Sequence, residues 1–454
     1  MKIDLDELLG TKEQKLSSFR KDRLVVLRMG LGRDSITMLV LLAQGKLRAE
    51  GRLIGPKDID AVVFTDVGHE WPFTYALIPR VRAFCEHYGM RFIVQERPPK
   101  EGPNGWLAWM KVQVKKREEA KAEGKSRARF GEPPWRQNPP AGVDARARSG
   151  YYNRRIPLFY DFASKDAIIR HDDPSCTIIH KIEPNREMLV DMATERGLPT
   201  LPVRPHLMLI GYAADEEQRI KEAARIEKLS AKGGVQFDTE AYPLVEMGIT
   251  KAMEQEILDR EYGMAPGSVA AVSWMSRSAA SGGLVRGGFS DVKKSGCRMC
   301  KEQDRAQFYM LLKVDPEMFH EVEETEKRAV ARTGPWMAVF SYHRKKKVRG
   351  VPNPALEVFR KEGWLMGINP NTEEKLRTKI DAAKQRGDRA SVEALTVTLD
   401  KEIENPSVWV YIPLRVQVMR WLEKYKAEHG GQEPDLEEIA RKEYRGCAIE
   451  KIPG

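Results

Sequence analysis

A glycine turn that leads into a helical segment is the first stretch whose residues could do chemistry. The apolar run 24–27 is followed by Gly30 and Gly32, and Asp34 and Ser35 then begin an apolar segment of helical length. Glycine lets the backbone approach a bound group closely, and the N–H groups and dipole at a helix N-terminus attract anions. The stretch therefore predicts a phosphate-binding turn, although an ordinary glycine turn before a helix has the same pattern.

The cysteines are the second group with chemical potential. The chain has five cysteines, an odd number that argues against a disulfide framework and favours thiol or metal chemistry. The spacing of Cys297 and Cys300 lets two thiolates share one metal ion or form one disulfide. Cys176 would be a third ligand, and Cys85, Cys447 or a non-protein ligand a fourth. A 4Fe-4S cluster with one open iron would suit sulfur chemistry, while a structural zinc ion and a redox dithiol are the alternatives.

Acidic residues that follow two other apolar segments form the third group. Asp66 follows the segment 59–65, and Asp215 and Glu216 come after the run 207–210. Ligands of parallel sheets bind at the carboxyl ends of the strands, so these acids are candidates for ligand contacts. Acids also stabilise the first turn of a helix, and helix capping is therefore the other interpretation.

The elements that must position these residues alternate between strand and helix. Strand-type runs at 24–27, 59–65, 90–94 and 207–210 are separated by segments with helical periodicity, such as 71–87. This alternation predicts an α/β fold with a doubly wound, mostly parallel sheet. Farther along the chain, apolar residues over 306–330 predict a helix that closes the core.

Composition and charge restrict the class of protein. The chain has 454 residues, enough for two or three domains, and 41% of them are hydrophobic. No run of about 18 apolar residues and no signal-peptide pattern is evident, so we expect a cytoplasmic protein with no membrane partner. The net charge of +10 is compatible with a polyanionic partner.

Most of that positive charge lies in the segment 100–155. It contains fourteen basic and six acidic residues, interleaved with aromatic residues that include Trp106, Trp109, Trp135 and Tyr151. Basic side chains bind phosphates and aromatic rings stack on unpaired bases, so the segment predicts a nucleic-acid surface. The alternative is a solvated insertion that its aromatic residues anchor to the domain.

Six short segments, taken in order, resemble one family. Gly30-Leu31-Gly32-Arg33-Asp34-Ser35 resembles the PP-loop pattern Ser-Gly-Gly-x-Asp-Ser, with departures at positions 30 and 31. The other segments are 64–70, 172–184, 211–219, 242–251 and 293–300. Together they are similar to the PP-loop adenine nucleotide alpha-hydrolase superfamily, in the branch of phosphoadenosine phosphosulfate (PAPS) reductases. That branch includes the ATP pyrophosphatase of DNA phosphorothioation systems.

The resemblance implies an activity and a set of site residues. ATP would be attacked at the α-phosphate with Mg2+ bound near Asp34, giving an adenylated substrate and pyrophosphate, and sulfur would then displace AMP. The substrate would be a nucleic acid, DNA or tRNA, with a sulfur donor protein as a possible partner. The implied catalytic residues are Asp34, Ser35, Cys176 and Lys181. The implied nucleotide-binding residues are Gly30, Gly32, Arg33, Asp34, Ser35, Asp66, Asp215 and Arg219, and the implied metal ligands are Cys176, Cys297 and Cys300.

The resemblance also implies how the chain is divided. Residues 1–99 and 156–331 would form the two parts of a PP-loop core, with the basic insertion 100–155 between them. Residues 332–454 would be a helical, basic C-terminal extension, which includes five basic residues in 344–349 and a charged helical segment over 372–403.

Two other functions remain open on the sequence alone. PAPS or APS reduction to sulfite would need a C-terminal Glu-Cys-Gly-x-His motif, and the residues around Cys447 lack its Glu, Gly and His. A nucleotide-sensing or DNA-binding regulator without catalysis would explain the departures at Gly30 and Leu31. The sequence leaves the sulfur donor and the oligomeric state undetermined.

Overall fold

The computed structural model divides into two compact units. The described residues are 22–97, 100, 106–123, 157–165, 167, 175–198, 205–216, 220–221, 238–262, 276–277, 284–285, 297–298, 300, 303–333, 342–344, 366–368, 370–404, 408–410 and 412–441. The first unit spans Met1–Asp161, His171–Glu302 and Ala440–Gly454, and the second spans Phe162–Arg170 and Gln303–Ile439.

The strands and helices are numbered in chain order. The strands are β1 Val25–Met29, β2 Leu47–Ala49, β3 Arg52–Ile54, β4 Ala61–Thr65, β5 Phe92–Gln95, β6 His206–Ile210, β7 Asp238–Ala241, β8 Ser276–Arg277, β9 Leu284–Val285, β10 Tyr342–Arg344, β11 Met366–Ile368 and β12 Val408–Val410. The helices are α1 Arg33–Ala43, α2 Pro72–His87, α3 Trp106–Ala122, α4 Leu158–Ala163, α5 Ser175–Thr177, α6 Glu183–Glu195, α7 Pro243–Glu246, α8 Lys251–Tyr262, α9 Arg305–Val314, α10 Pro316–Thr333, α11 Pro370–Gln385, α12 Arg389–Glu404, α13 Leu414–Glu428 and α14 Leu436–Arg441.

A five-stranded parallel sheet is the centre of the first unit. Its order is β5-β4-β1-β6-β7, and every neighbouring pair is parallel. In chain order this is third, second, first, fourth and fifth strand, an order that doubly wound sheets use. The predicted α/β fold class with a parallel sheet is therefore confirmed.

Both faces of this sheet are buried, which explains why its central strands are mostly apolar. Val25 and Leu27 point into one core, together with the apolar residues of α1. Leu24 and Val26 point into the other core, where Met188 and other residues of α6 cover the sheet. Successive residues of a strand alternate between faces, so a sheet covered on both sides favours apolar residues on both faces of its strands.

The second unit is mainly helical and also contains a small antiparallel sheet of order β10-β12-β11. The helix expected over 306–330 is two helices, α9 and α10, separated at Asp315. Asp304 caps α9 through a hydrogen bond from the Gln307 N–H of 2.9 Å. The charged segment 372–403 is likewise two helices, α11 and α12, because Gly387 turns the chain with a φ of +70°.

In the part of the chain that the structure describes, no helix is long and apolar enough to cross a membrane.

Candidate functional site

The site lies at the carboxyl ends of β1 and β6, in the middle of the sheet. These strands are the first and fourth of the five sheet strands in chain order, and their other neighbours, β4 and β7, lie on opposite sides. The strand order therefore reverses between β1 and β6. Doubly wound sheets bind their ligands at such a position.

The predicted phosphate-binding turn lies on this edge, between β1 and α1. Gly32 precedes the helix with an extended backbone (φ −93°, ψ 175°) and provides no side chain to cap the first turn. The Ser35 hydroxyl turns back and donates to the Gly32 carbonyl at 3.0 Å. Asp34 is the acid in the first turn of α1. The N–H groups at the start of α1 are thus at the edge where a ligand is expected.

Leu31 in this turn has an uncommon backbone conformation. Its φ is +58°, in the left-handed region that favours glycine, and its side chain is fully buried. A side chain in this region costs about 1–2 kcal/mol. The PP-loop pattern has glycine at this position, and glycine adopts a positive φ without this cost.

Gly211 allows the end of β6 to touch the start of α1. A Cβ atom on Gly211 would lie 3.0 Å from the Ser35 nitrogen and 3.1 Å from the Asp34 Cβ. Because these are close approaches to backbone or near-backbone atoms, a side chain at position 211 would require the start of α1 to shift by a few tenths of an ångström. The sequence segment 211–219 is therefore joined to the glycine turn directly through its first residue.

Lys251 connects the start of α8 to the start of α1. Its ammonium donates to Asp34 Oδ1, and it also lies 3.1 Å from Glu216 Oε2 and 3.9 Å from Glu254 Oε2. Asp215 contacts the same residue through the backbone, where the Lys251 N–H donates to its Oδ1 at 3.3 Å. The N-termini of two helices, four acidic side chains and one ammonium thus meet at the reversal of the sheet.

Burial and charge together set the pKa values of this group. Burial, together with the neighbouring negative charge of Asp34, raises the pKa of Glu254 to about 9 against the opposing effect of Lys251. Burial alone would lower the pKa of Lys251, but its acidic neighbours, above all Asp34, outweigh burial and raise this pKa. Lys251 is therefore charged at neutral pH, whereas Glu254 is protonated.

A second polar group lies at the carboxyl ends of β4 and β5. Asp66 Oδ1 accepts hydrogen bonds from the Gly68 N–H at 2.7 Å and from the Tyr75 hydroxyl at 2.8 Å. The Arg97 Nε donates to the Asp66 carbonyl at 2.6 Å. Gly68 has a φ of +87°, and a Cβ atom there would lie 2.6 Å from Pro157. These contacts support a turn-forming role for Asp66, and its predicted contact with a nucleotide stays a prediction.

Cys176 and Lys181 lie on a helix with an irregular turn. α5 contains Cys176, the π-helical residues Ile178–Ile182 follow, and α6 continues from there. Within this turn His180 is buried, with its Nε2 atom 3.2 Å from Asp161 Oδ2 and its Nδ1 atom 3.5 Å from Arg97. π-Turns inside helices are frequent at functional sites. The turn positions Lys181 through its carbonyl, which accepts from Asn185 Nδ2 at 2.6 Å.

The Cys-x-x-Cys element lies near the loop after β4. Cys297 forms an antiparallel bridge with Glu70, and the Arg298 N–H donates to the His69 carbonyl at 2.8 Å. The Cys300 N–H donates to the Cys297 carbonyl at 3.0 Å, so the two cysteines share one turn. Burial, together with the positive charges of Arg298 and Arg97, lowers the pKa of His69 to about 3.

A metal centre built from these cysteines stays a prediction. Among the described residues, no group of three or more His, Cys, Asp or Glu side chains is arranged to hold a metal ion. Cys297 is buried, and Cys176 and Cys300 are partly exposed. Cys85 is buried in α2, where burial raises its thiol pKa. Cys447 and the predicted nucleotide ligand Arg219 lie outside the described residues.

The described part of the basic insertion is α3, with Lys100 before it. Trp106 at its start is buried and packs on Tyr160, with ring centroids 4.5 Å apart. Trp106 is therefore unable to stack on an exposed base, and this candidate role is wrong for it. Lys115 is 79% exposed, and Lys111 and Lys116 are also exposed, so these three basic side chains of α3 are accessible. Trp135 and Tyr151 lie outside the described residues.

Comparison with known proteins gives no further identification. No family model, no curated protein and no solved structure matches the chain. The functional argument therefore depends on the geometry of the site and on the sequence patterns.

Sequence reasoning missed two residues of the site, Lys251 and Glu254. Lys251 ends the segment 242–251 that resembles the family, but a lysine after a turn has no spacing that distinguishes it from a surface residue. Glu254 follows at the helical interval of three residues, which places both side chains on one face of α8. Only the packing of α8 beside α1 shows that this face meets Asp34.

Proposed function

We propose that the chain is an ATP pyrophosphatase of the PP-loop type, which adenylates a substrate for sulfur incorporation into nucleic acid. The observation that carries the proposal is the position of Asp34 and Ser35. Both lie in the first turn of α1, at the reversal of a parallel sheet, after a glycine turn that Gly211 packs against. Backbone N–H groups, a helix dipole and a position at the reversal of the strand order together suit the phosphates of a nucleotide.

The donor atoms near the turn suit Mg2+ as the companion of ATP. Mg2+ prefers oxygen ligands and uses one or two carboxylates together with water and substrate phosphates. Asp34 and Glu216 provide two such carboxylates. Both contact the same Lys251 ammonium, so they are close enough together to share one cation. Bound there, Mg2+ would offset negative charge on the phosphates.

In the proposed reaction an oxygen of the substrate attacks the α-phosphorus of ATP. The bond from that phosphorus to the bridging oxygen breaks, and pyrophosphate leaves with the electron pair. The N–H groups at the start of α1 and the guanidinium of Arg33 stabilise the charge that grows on the phosphates. In thiolating enzymes sulfur then displaces AMP, and Cys176 and Lys181 are the residues that we propose for this part of the site.

A nucleic-acid substrate is supported by the exposed basic residues of α3. Lys111, Lys115 and Lys116 are accessible on this helix, which Trp106 anchors to the first unit. Lysines on one helix neutralise phosphates without reading sequence, so binding weakens steeply as salt rises. DNA and tRNA are both candidates.

The test is the identity of the products from ATP labelled at the α- and γ-phosphates. We expect AMP and pyrophosphate, with their release stimulated by DNA or by tRNA. We expect Asp34→Asn to lower the rate at least about 100-fold, because it removes a carboxylate ligand of the Mg2+ that offsets the charge on the reacting phosphates. Lys384→Met is the control, since Lys384 pairs only with the exposed Asp381 at 4.0 Å among the contacts that the structure describes. ADP with phosphate as the only products would contradict the proposal.

The other outcomes separate the remaining functions. Sulfite release from PAPS without nucleic acid would favour the reductase, and ATP binding without turnover would favour a regulator. Lys115→Glu with Lys116→Glu should weaken nucleic-acid binding and leave ATP affinity unchanged. Anaerobic purification with iron, sulfide and zinc analysis tests the predicted cluster at Cys176, Cys297 and Cys300.

A further inference from the structure

Lys251 lies among acids in a place where a nucleotide site needs a cation. Its side chain is 13% exposed, the side chains of Asp34 and Glu216 are 17% and 14% exposed, and Glu254 is fully buried. An ammonium with so little solvent is stable only when acids compensate its charge. The same acids, left alone, would repel phosphates from the start of α1.

We infer that Lys251 is an exchangeable counter-ion, held by Asp34 and Glu216 in the nucleotide-free protein, which turns to the phosphates when a divalent cation occupies those carboxylates. The inference rests on the proposed function and names a residue for it that the sequence patterns did not. It assigns Lys251 to phosphate binding, and Asp34 with Glu216 to the cation.

The backbone of Lys251 permits this exchange without a change in the fold. The Lys251 N–H is fixed by Asp215 at 3.3 Å, and the Ala214 N–H donates to the Ile249 carbonyl at 2.7 Å. Both hydrogen bonds tie the start of α8 to the segment after β6. The Lys251 side chain has four methylene groups between this fixed backbone and its compact charge. Its ammonium can therefore change partners while the helix stays in place.

Two carboxylates lie on the same ammonium. Asp34 Oδ1 accepts a hydrogen bond from Lys251, and Glu216 Oε2 is 3.1 Å from the Lys251 nitrogen. A cation that replaced the ammonium would therefore meet both carboxylates. Mg2+ completes its shell with water and phosphate, so two carboxylates suffice.

Glu254 is the third acid near the ammonium. It is fully buried on the same face of α8 as Lys251, with its Oε2 atom 3.9 Å from the Lys251 nitrogen. Asp34 and Glu216 are the two partly accessible acids of the group, and we assign the cation to them.

The experiment measures two affinities in the nucleotide-free protein by calorimetry, first for Mn2+ alone and then for inorganic pyrophosphate with Mg2+. In Lys251→Met we expect Mn2+ to bind about tenfold more tightly, because its competitor is gone, and pyrophosphate to bind about tenfold more weakly, because a charged hydrogen bond is lost. Lys327→Met is the matched control, since Lys327 pairs with Glu324 at 2.8 Å on an exposed helix face. It should change neither affinity.

The two affinities must move in opposite directions. If both weaken together, or if neither changes, Lys251 is structural and the inference is wrong. Glu216→Gln is the second variant, in case Lys251→Met does not fold. It should weaken Mn2+ binding at least about fivefold, because one of two carboxylate ligands is lost, and unchanged Mn2+ affinity would overturn the inference. Wild-type protein that binds neither ATP nor pyrophosphate contradicts the proposed function itself.

Discussion

Gly211→Ala perturbs the site without removing any functional side chain. The new Cβ atom would lie 3.0 Å from the Ser35 nitrogen and 3.1 Å from two atoms of Asp34, its carbonyl carbon and its Cβ. Ordinary van der Waals contact begins near 3.4 Å. Because backbone atoms have no rotamer that relieves the contact, the start of α1 must shift by several tenths of an ångström.

The size of the effect follows from this contact. Overpacking by one methyl group costs about 1–3 kcal/mol in the free energy of unfolding. The N–H groups of the first turn move with the shift, and loss of one hydrogen bond to a charged phosphate weakens binding by about 1.5–3 kcal/mol. We therefore expect Gly211→Ala to bind ATP at least about tenfold more weakly than the wild type.

Gly197→Ala separates this effect from general destabilisation. Gly197 follows α6 with a φ of +68°, and a Cβ atom there would have no neighbour within 4 Å. Its left-handed backbone makes alanine cost about 1–2 kcal/mol, comparable to the expected cost at Gly211. ATP affinity should stay at the wild-type value in this control.

The assays are urea unfolding and ATP titration by calorimetry on all three proteins. Reduced stability in both variants with reduced ATP affinity in Gly211→Ala alone is the expected result. If Gly211→Ala loses stability but binds ATP as the wild type does, the start of α1 is not the phosphate site. If the stability of Gly211→Ala is also unchanged, the end of β6 does not approach the start of α1 as closely as described above.

Two further predictions concern the same region. The pKa of Glu254 is about 9 in the folded protein, and its ordinary value is 4.5. Between these pH values unfolding releases the proton of Glu254, so the free energy of unfolding falls as pH rises. The slope is at most about 1.4 kcal/mol per pH unit for one proton. Glu254→Gln should flatten that slope in urea unfolding from pH 5 to 9, and an unchanged slope would mean that another group titrates. Leu31→Gly relieves about 1–2 kcal/mol of backbone strain but loses a fully buried side chain, which costs about 2–5 kcal/mol. We expect a net loss of stability, and a more stable variant would show that strain outweighs burial.

The local sequence was sufficient to predict four strands of the parallel sheet and the helix α2. The ends of strands β1, β4, β5 and β6 were predicted to within two residues, because strands buried on both faces are mostly apolar. Helix α2 was predicted over 71–87 and is found at Pro72–His87. The glycine turn was also predictable from the sequence, since Gly30 and Gly32 separate two apolar runs.

Elements that depend on distant partners were not predictable in this way. β7 reads Asp-Thr-Glu-Ala and is only partly buried, so nothing in its composition indicates a strand, and its pairing with β6 makes it one. The π-turn at Ile178–Ile182 is similar, because its residues would fit an ordinary helix. Hydrophobic periodicity indicates which face of an element is buried. It gives no signal for an edge strand or an irregular turn that forms through contacts with residues distant in the sequence.

The same division holds for the candidate site. The residue types of Asp34 and Ser35, and their place after two glycines, were determined by the sequence alone, because a turn and a helix start are made by neighbours in the chain. Lys251 is 217 residues from Asp34 along the chain, and their contact exists only because α8 packs beside α1. Tertiary structure alone decided that three acids surround one lysine at the reversal of the sheet, since a charge finds its partner across space and leaves no local pattern in the sequence.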